Sequence, residues 1–131
     1  MDQPSPELRR LLVRSYRYGA DMVDIAWRAR FRCEYCDKDL LRSVDDYEWN
    51  WEREHVVPTS PGGPDLVDNW ALACRTCNQL KGDWDPRPDA ADAQNREALV
   101  ASARAYVQGR RAQRGRELDE VRSLIHEELE R

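Results

Sequence analysis

The sequence predicts a small α+β fold: a strand–loop–strand–helix unit pinned by four cysteines, with helices before and after it. Three observations point there. Cysteines occur as two C-x-x-C pairs, Cys33/Cys36 and Cys74/Cys77. Between the pairs, Tyr47 to Val57 alternates with period two, and Asn69 to Cys74 is a short apolar run. Both ends of the chain carry helical spacing instead.

The elements follow in chain order. Ser5-Pro6-Glu7 is a helix start, with serine as N-cap and proline at the first helical position. Leu8, Leu11 and Leu12, then Ser15-Tyr16, continue the spacing, and Gly19 is the expected stop. A second helix is expected over about Asp21 to Arg30, with Met22, Ile25, Ala26 and Ala29 on one side. Cys33 to Leu41 reads as a turn-rich knuckle. In the period-two segment Tyr47, Trp49, Trp51, Arg53 and His55 share one side; Glu48, Asn50, Glu52 and Glu54 share the other. Pro58 to Asp65 is a loop by its proline and glycine content. Arg75 to Lys81 is a helix of about two turns closed by Gly82. From Ala90 to Arg131 the composition is helical, broken or weakened at Gly109 and Gly115, and Leu118, Val121, Ile125 and Leu129 form an apolar stripe expected to pack on the domain. The expected division is an N-terminal helical segment (1–30), a metal-stabilised core (31–85) and a C-terminal helical extension (86–131).

Bulk properties narrow the class. With 131 residues the chain has room for one compact core, and 35% charged residues imply a modest one that gains from a metal staple. No run approaches the eighteen or so apolar residues of a membrane span. Met1-Asp2-Gln3-Pro4 lacks the basic start and apolar run of a signal peptide, so a cytoplasmic location is expected. In a reducing compartment the four cysteines read as metal ligands rather than disulfides. Two C-x-x-C pairs complete the tetrahedral shell of a structural Zn²⁺, with Cys33, Cys36, Cys74 and Cys77 as ligands. The net charge of −4 does not by itself announce a nucleic-acid partner. Arg104, Arg110, Arg111, Arg114 and Arg116 do form a basic run before the acidic stretch Glu117 to Glu130, and this run is a candidate contact for a phosphate backbone.

Between the cysteine pairs lie Glu54-His55-Val56-Val57-Pro58, Gly62-Gly63, Asn69, and Cys74-Arg75-Thr76-Cys77-Asn78-Gln79-Leu80-Lys81-Gly82-Asp83. Over roughly Arg30 to Asp83 this combination resembles the HNH endonuclease family, in the subgroup that embeds its motif between C-x-x-C pairs. The resemblance implies a ββα-metal (His-Me finger) core and divalent-metal-dependent hydrolysis of phosphodiester bonds in DNA, most readily double-stranded. Hydrolysis needs water deprotonated, which a neutral imidazole does near physiological pH, and His55 fits that base. It also needs the charged phosphate and the departing oxygen stabilised, a task for Mg²⁺, Mn²⁺ or another divalent cation. By the resemblance, Glu54 and Asn78 hold that cation, and Asn69 ties the loop between the strands and helps orient the histidine. The motif carries Asn78 where histidine is common, and Glu54 where aspartate is.

Lys81 shares a helix face with Asn78 and is expected to reach a substrate phosphate, as are Arg53 and Arg75. Trp49, Trp51, Trp70 and Trp84 read as core packing before base stacking. Two other readings compete: a zinc-knuckle nucleic-acid-binding module without catalysis, and a zinc-stabilised protein-interaction adaptor. A homodimer is compatible with the chain, and would bear on nicking against double-strand cutting.

Overall fold

The computed structural model describes residues 2–13, 19–59 and 63–131. Helix α1 (Pro6–Val13) starts as its sequence dictates, with Ser5 Oγ accepting from the Leu8 amide at 3.1 Å. Ser15 and Tyr16 lie outside the described residues. Gly19 sits just ahead of α2 (Ala20–Arg28), which buries Met22, Val23, Ile25 and Ala26. That helix stops two residues short of expectation because Arg30 and Phe31 both take positive φ, 55° and 60°, and turn the chain into the first knuckle.

The period-two reading of residues 47–57 is corrected by the structure. Val44–Trp49 is a helix, α3, and only Glu52–His55 is strand β1. The reason is local. Ser43 caps the helix, its Oγ accepting from the Asp46 amide at 3.1 Å, and Asp45 and Asp46 place negative charge in the first turn. Asp46 is held in turn by Asn50 Nδ2 at 2.9 Å and Lys38 Nζ at 3.2 Å. A good cap outweighs a run of alternating aromatics.

Strand β1 pairs antiparallel with β2 (Trp70–Ala73) in the register Glu52↔Ala73, Arg53↔Leu72, Glu54↔Ala71 and His55↔Trp70. Helix α4 (Arg75–Lys81) follows at once and ends on Gly82, whose φ of +52° suits a residue without a side chain. Hairpin and helix are the ββα unit that the sequence predicts. The loop between the strands returns at Gly63, where a Cβ would stand 2.0 Å from the Val57 carbonyl oxygen, so only glycine fits.

A single core joins all three segments of the chain. Ile25, Tyr35, Leu40, Val56 and Leu72 are fully enclosed together with Ala103 and Val107. The last two belong to α5 (Arg96–Leu129), a continuous helix of 34 residues begun by Asn95, whose Oδ1 accepts from the Ala98 amide at 2.9 Å. Two expectations fail on α5. Gly109 and Gly115 do not break it, since a mid-helix glycine costs only about 1 kcal/mol against many intact turns. The Leu118–Leu129 stripe does not pack on the domain either. Buried positions end at Val107, and Leu118, Val121, Ile125 and Leu129 are 50–78% exposed. At about 1.5 Å per residue the helix simply outruns the body it packs on. No helix of the described residues is long and apolar enough to cross a membrane.

Candidate active site and zinc site

The four cysteines converge. Their sulfurs all lie within 4.8 Å of one another, and none is in a disulfide. The first pair is shaped by a tight turn, with the Asp37 amide donating to the Cys33 carbonyl at 2.8 Å and Asp37 at φ 65°. The second pair rides on the start of α4, where Cys74 is the N-cap and its sulfur accepts from the Cys77 amide at 3.4 Å. A tetrahedron of sulfurs about 2.3 Å from zinc has edges of about 3.8 Å, and Cys36 and Cys74 are 3.8 Å apart. The residues fit a structural zinc. Hydrogen bonds from Cys33, Cys36 and Cys77 hold the Cys74 thiol far below the usual thiol range, while the same contacts push the Cys33 and Cys77 thiols up.

His55 ends β1, and its ring lies on Trp70 of the paired strand, centroids 3.6 Å apart and planes 37° apart. Its Nε2 is 3.3 Å from Asp65 Oδ1, in the loop between the strands. Trp70 is itself fixed: its carbonyl accepts from Arg28 and, at 2.9 Å, from Arg96. The Arg53 guanidinium lies over the same indole at 4.6 Å from the ring centre. Histidine, tryptophan and arginine therefore form one layer on the outer face of the hairpin.

Glu54 points the other way. It is 5% exposed, and both of its oxygens are taken. Oε1 accepts from the Tyr35 hydroxyl, and Oε2 accepts from Lys81 Nζ at 2.9 Å. Lys81 also donates to the His55 carbonyl at 3.0 Å, so one ammonium ties α4 to both motif residues. Burial pushes the Glu54 carboxyl above its usual range, against the pull of Lys81 and Tyr35. Burial also drives the Tyr35 hydroxyl well up, with the Glu54 charge adding to it, which keeps the phenol a donor.

This geometry bears on the site residues expected from sequence. Lys81 does not face a substrate: its side chain is completely enclosed, because residue 81 points back toward β1 rather than outward from the end of α4. Glu54 has no open oxygen for a divalent cation, and an ion bound there would have to displace the Lys81 ammonium. As arranged, the carboxylate does not fit the catalytic cation. Asn78 is half-exposed on α4, one residue past Cys77. Asn69 closes the loop: Oδ1 accepts from the Val57 amide at 2.9 Å, and Nδ2 donates to the Val57 and Pro64 carbonyls at 2.8 Å each. Its backbone carbonyl accepts from the Val56 amide at 2.8 Å, next in sequence to His55. Arg53 and Arg75 line a common cleft of about 480 Å³ with Trp49, which is 62% exposed.

The tryptophans divide. Trp51 is core, and Trp84 stacks on Tyr106 of α5, whereas Trp70 serves the histidine. The basic run also divides. Arg104 donates to the Glu34 carbonyl at 2.9 and 2.7 Å, and Arg111 turns to the cysteine sulfurs. Those two side chains are therefore engaged with the domain, not lined up along a free phosphate-binding face. Tyr35 and Asp65 are residues that pattern reading missed, and Arg111, expected along a phosphate backbone, lies on the cysteine sulfurs instead. Only Tyr35, set between Cys33 and Cys36, carried a positional hint.

Residues 33–83 match the family model described as HNH endonuclease. Over this segment the chain is similar to HNH endonuclease domains. No curated protein and no solved structure matches the chain. The matched segment spans both knuckles, the hairpin and α4. Helices α1, α2 and α5 lie outside it, although α2 and α5 pin Trp70 and α5 reaches the cysteines.

Proposed function

We propose that the chain is an endonuclease that hydrolyses phosphodiester bonds in DNA, with His55 as the general base. The observation that carries this is the setting of His55 within the HNH-like segment, stacked on Trp70 with Asp65 at Nε2. With the Nε2 hydrogen donated to Asp65, the Nδ1 lone pair is free to take a proton from water, and the carboxylate steadies the imidazolium that results. Arg53 and Arg75 supply positive charge along the neighbouring cleft, for phosphates of double-stranded DNA. A divalent cation such as Mg²⁺ or Mn²⁺ would stabilise charge on the phosphate and the departing oxygen. Glu54 is closed to it as arranged, both oxygens being engaged by Tyr35 and Lys81.

The test is a supercoiled plasmid incubated with Mg²⁺, Mn²⁺ or Ni²⁺, beside an EDTA control and a His55→Ala variant. Nicking that disappears in the variant supports the reading; loss of cutting with EDTA adds the metal. The same assay on RNA decides the nucleic acid. One observation favours a second reading, a zinc-knuckle nucleic-acid-binding module without catalysis: the Glu54 carboxylate is locked in an ion pair. No cutting of any nucleic acid with any of the metals, but retained binding, would establish it.

The reading extends to a pair of chains, joined along the uncovered stripe of α5. An antiparallel pair brings Arg114 of one copy toward Glu130 at the acidic end of the other. A parallel pair would stack acid on acid.

A further inference from the structure

Arg111 lies on α5, outside the HNH-like segment. Its guanidinium nevertheless reaches the cysteines. Nε donates to Cys77 Sγ at 3.2 Å and Nη2 to Cys74 Sγ at 3.3 Å. The rest of α5 is held against the other knuckle. Arg104 donates twice to the Glu34 carbonyl, and Arg96 Nη2 pairs with the Glu34 carboxylate at 3.0 Å, next in sequence to Cys33. Val100, Ala103 and Val107 are buried beneath these contacts.

Chemistry gives that placement a purpose. A zinc ion with four thiolates keeps a net double negative charge, here in a largely buried setting, where uncompensated charge is costly. A guanidinium is always protonated, and its planar fork can donate to two neighbouring acceptors at once. Hydrogen bonds to a charged acceptor are the strong kind. Each also occupies a sulfur lone pair, so the thiolate is less available to a competing proton, oxidant or chelator.

We propose that Arg111 belongs to the zinc site, as a cationic cap bridging Cys74 and Cys77 that retains the metal and couples zinc loading to docking of α5. The last helix thereby becomes part of the metal centre rather than an appendage. Arg111 is a positioning residue for the sulfurs, not a zinc ligand. The inference rests on the four-cysteine zinc reading alone and holds whether or not the domain cuts DNA. Metal analysis of the wild-type chain tests that foundation separately.

The experiment uses the full chain loaded with zinc, in four forms: wild type, Arg111→Met, Arg111→Lys and Arg104→Met. Zinc release is followed after addition of excess chromogenic chelator, with circular dichroism to verify the fold. Removing a group that supports metal ligands from outside the coordination shell weakens metal retention by about 10–100-fold, so Arg111→Met should release zinc at least about tenfold faster. Arg111→Lys keeps the charge but cannot span two sulfurs; it should fall between, and it carries the test if the methionine variant does not fold. Arg104→Met loosens the same helix without touching sulfur and should speed release far less than Arg111→Met. Amide exchange across residues 96–111 should rise when zinc is stripped from the wild type. Release at the wild-type rate in both Arg111 variants overturns the proposal. Equal acceleration by Arg104→Met and Arg111→Met, or unchanged exchange after stripping, does so as well.

Discussion

The Glu54 carboxylate and the Lys81 ammonium are 2.9 Å apart in the interior, with the lysine side chain wholly enclosed. Taking away one partner of a buried pair strands the other, at a cost of about 3–5 kcal/mol. Lys81→Met should lose about that much stability in urea unfolding of the zinc-loaded protein. Its pH dependence follows from Glu54. Burial already raises that carboxyl, and loss of the lysine, which pulls it down, raises it further. A carboxyl raised in the folded state is favourable only while protonated. Its contribution is present below the unfolded value and lost as pH climbs through the folded one. The cost of Lys81→Met should therefore shrink as pH is taken from neutral toward the unfolded glutamate range, and grow on return. If Lys81 instead served a substrate phosphate, the variant would keep its stability at every pH and lose only activity.

Asn69 spends its whole side chain on the loop that carries Asp65. Asn69→Asp keeps the acceptor for the Val57 amide but points a carboxylate oxygen at two carbonyls where an NH₂ had donated. Lost hydrogen bonds of about 1 kcal/mol each, plus the unsatisfied carbonyls, predict a loss of about 2–4 kcal/mol. Asn69→Ala, which removes the bonds without the added charge, should fall less in a thermal melt. A melting temperature in Asn69→Asp equal to wild type would contradict the tie.

These two sites mark where sequence sufficed and where it did not. The knuckles, α4 and its Gly82 stop were legible because covalent spacing and caps fix them locally. The role of Asn69 as loop tie came through the family resemblance and agrees with its three bonds. Helix α3 reads as strand although Ser43 and Asp46 carry its signal, because Tyr47, Trp49 and Trp51 mimic a strand. Glu54 with Lys81 was illegible for another reason. Which face of β1 meets α4 is decided by packing, and Glu54 and His55 sit on opposite faces of the same strand. Arg111 meets a cysteine 34 residues away, and no local period reports such a contact.

Zinc is expected to be a condition of folding, since the knuckles join the chain before the hairpin to the helix after it. Metal analysis should find about one zinc per chain, with a marked fall in Cys77→Ser. A strong chelator should abolish the cooperative thermal transition and shift the fluorescence of buried Trp51 toward that of a solvated indole. A chain free of zinc that kept its melting temperature would remove the metal from the structural account.

The apolar stripe of α5 is continuous with its buried face. Val100, Val107, Leu118 and Ile125 recur at heptad-compatible intervals, but the domain covers only the first two. A stretch of about fifteen residues projecting without packing is marginal as a helix in water, so a covering surface is expected to stabilise it. Light scattering behind size-exclusion chromatography should then give twice the chain mass at micromolar concentration. The double variant Leu118→Glu, Ile125→Glu should give a single chain mass while retaining its zinc, because neither residue touches the domain core. Charge reversal at Arg114 should weaken the pair as well, and more at low salt than at high, since exposed charges are screened within about 10 Å. A wild-type chain that stays monomeric at every concentration would leave the stripe unpaired and rule out this mode of assembly.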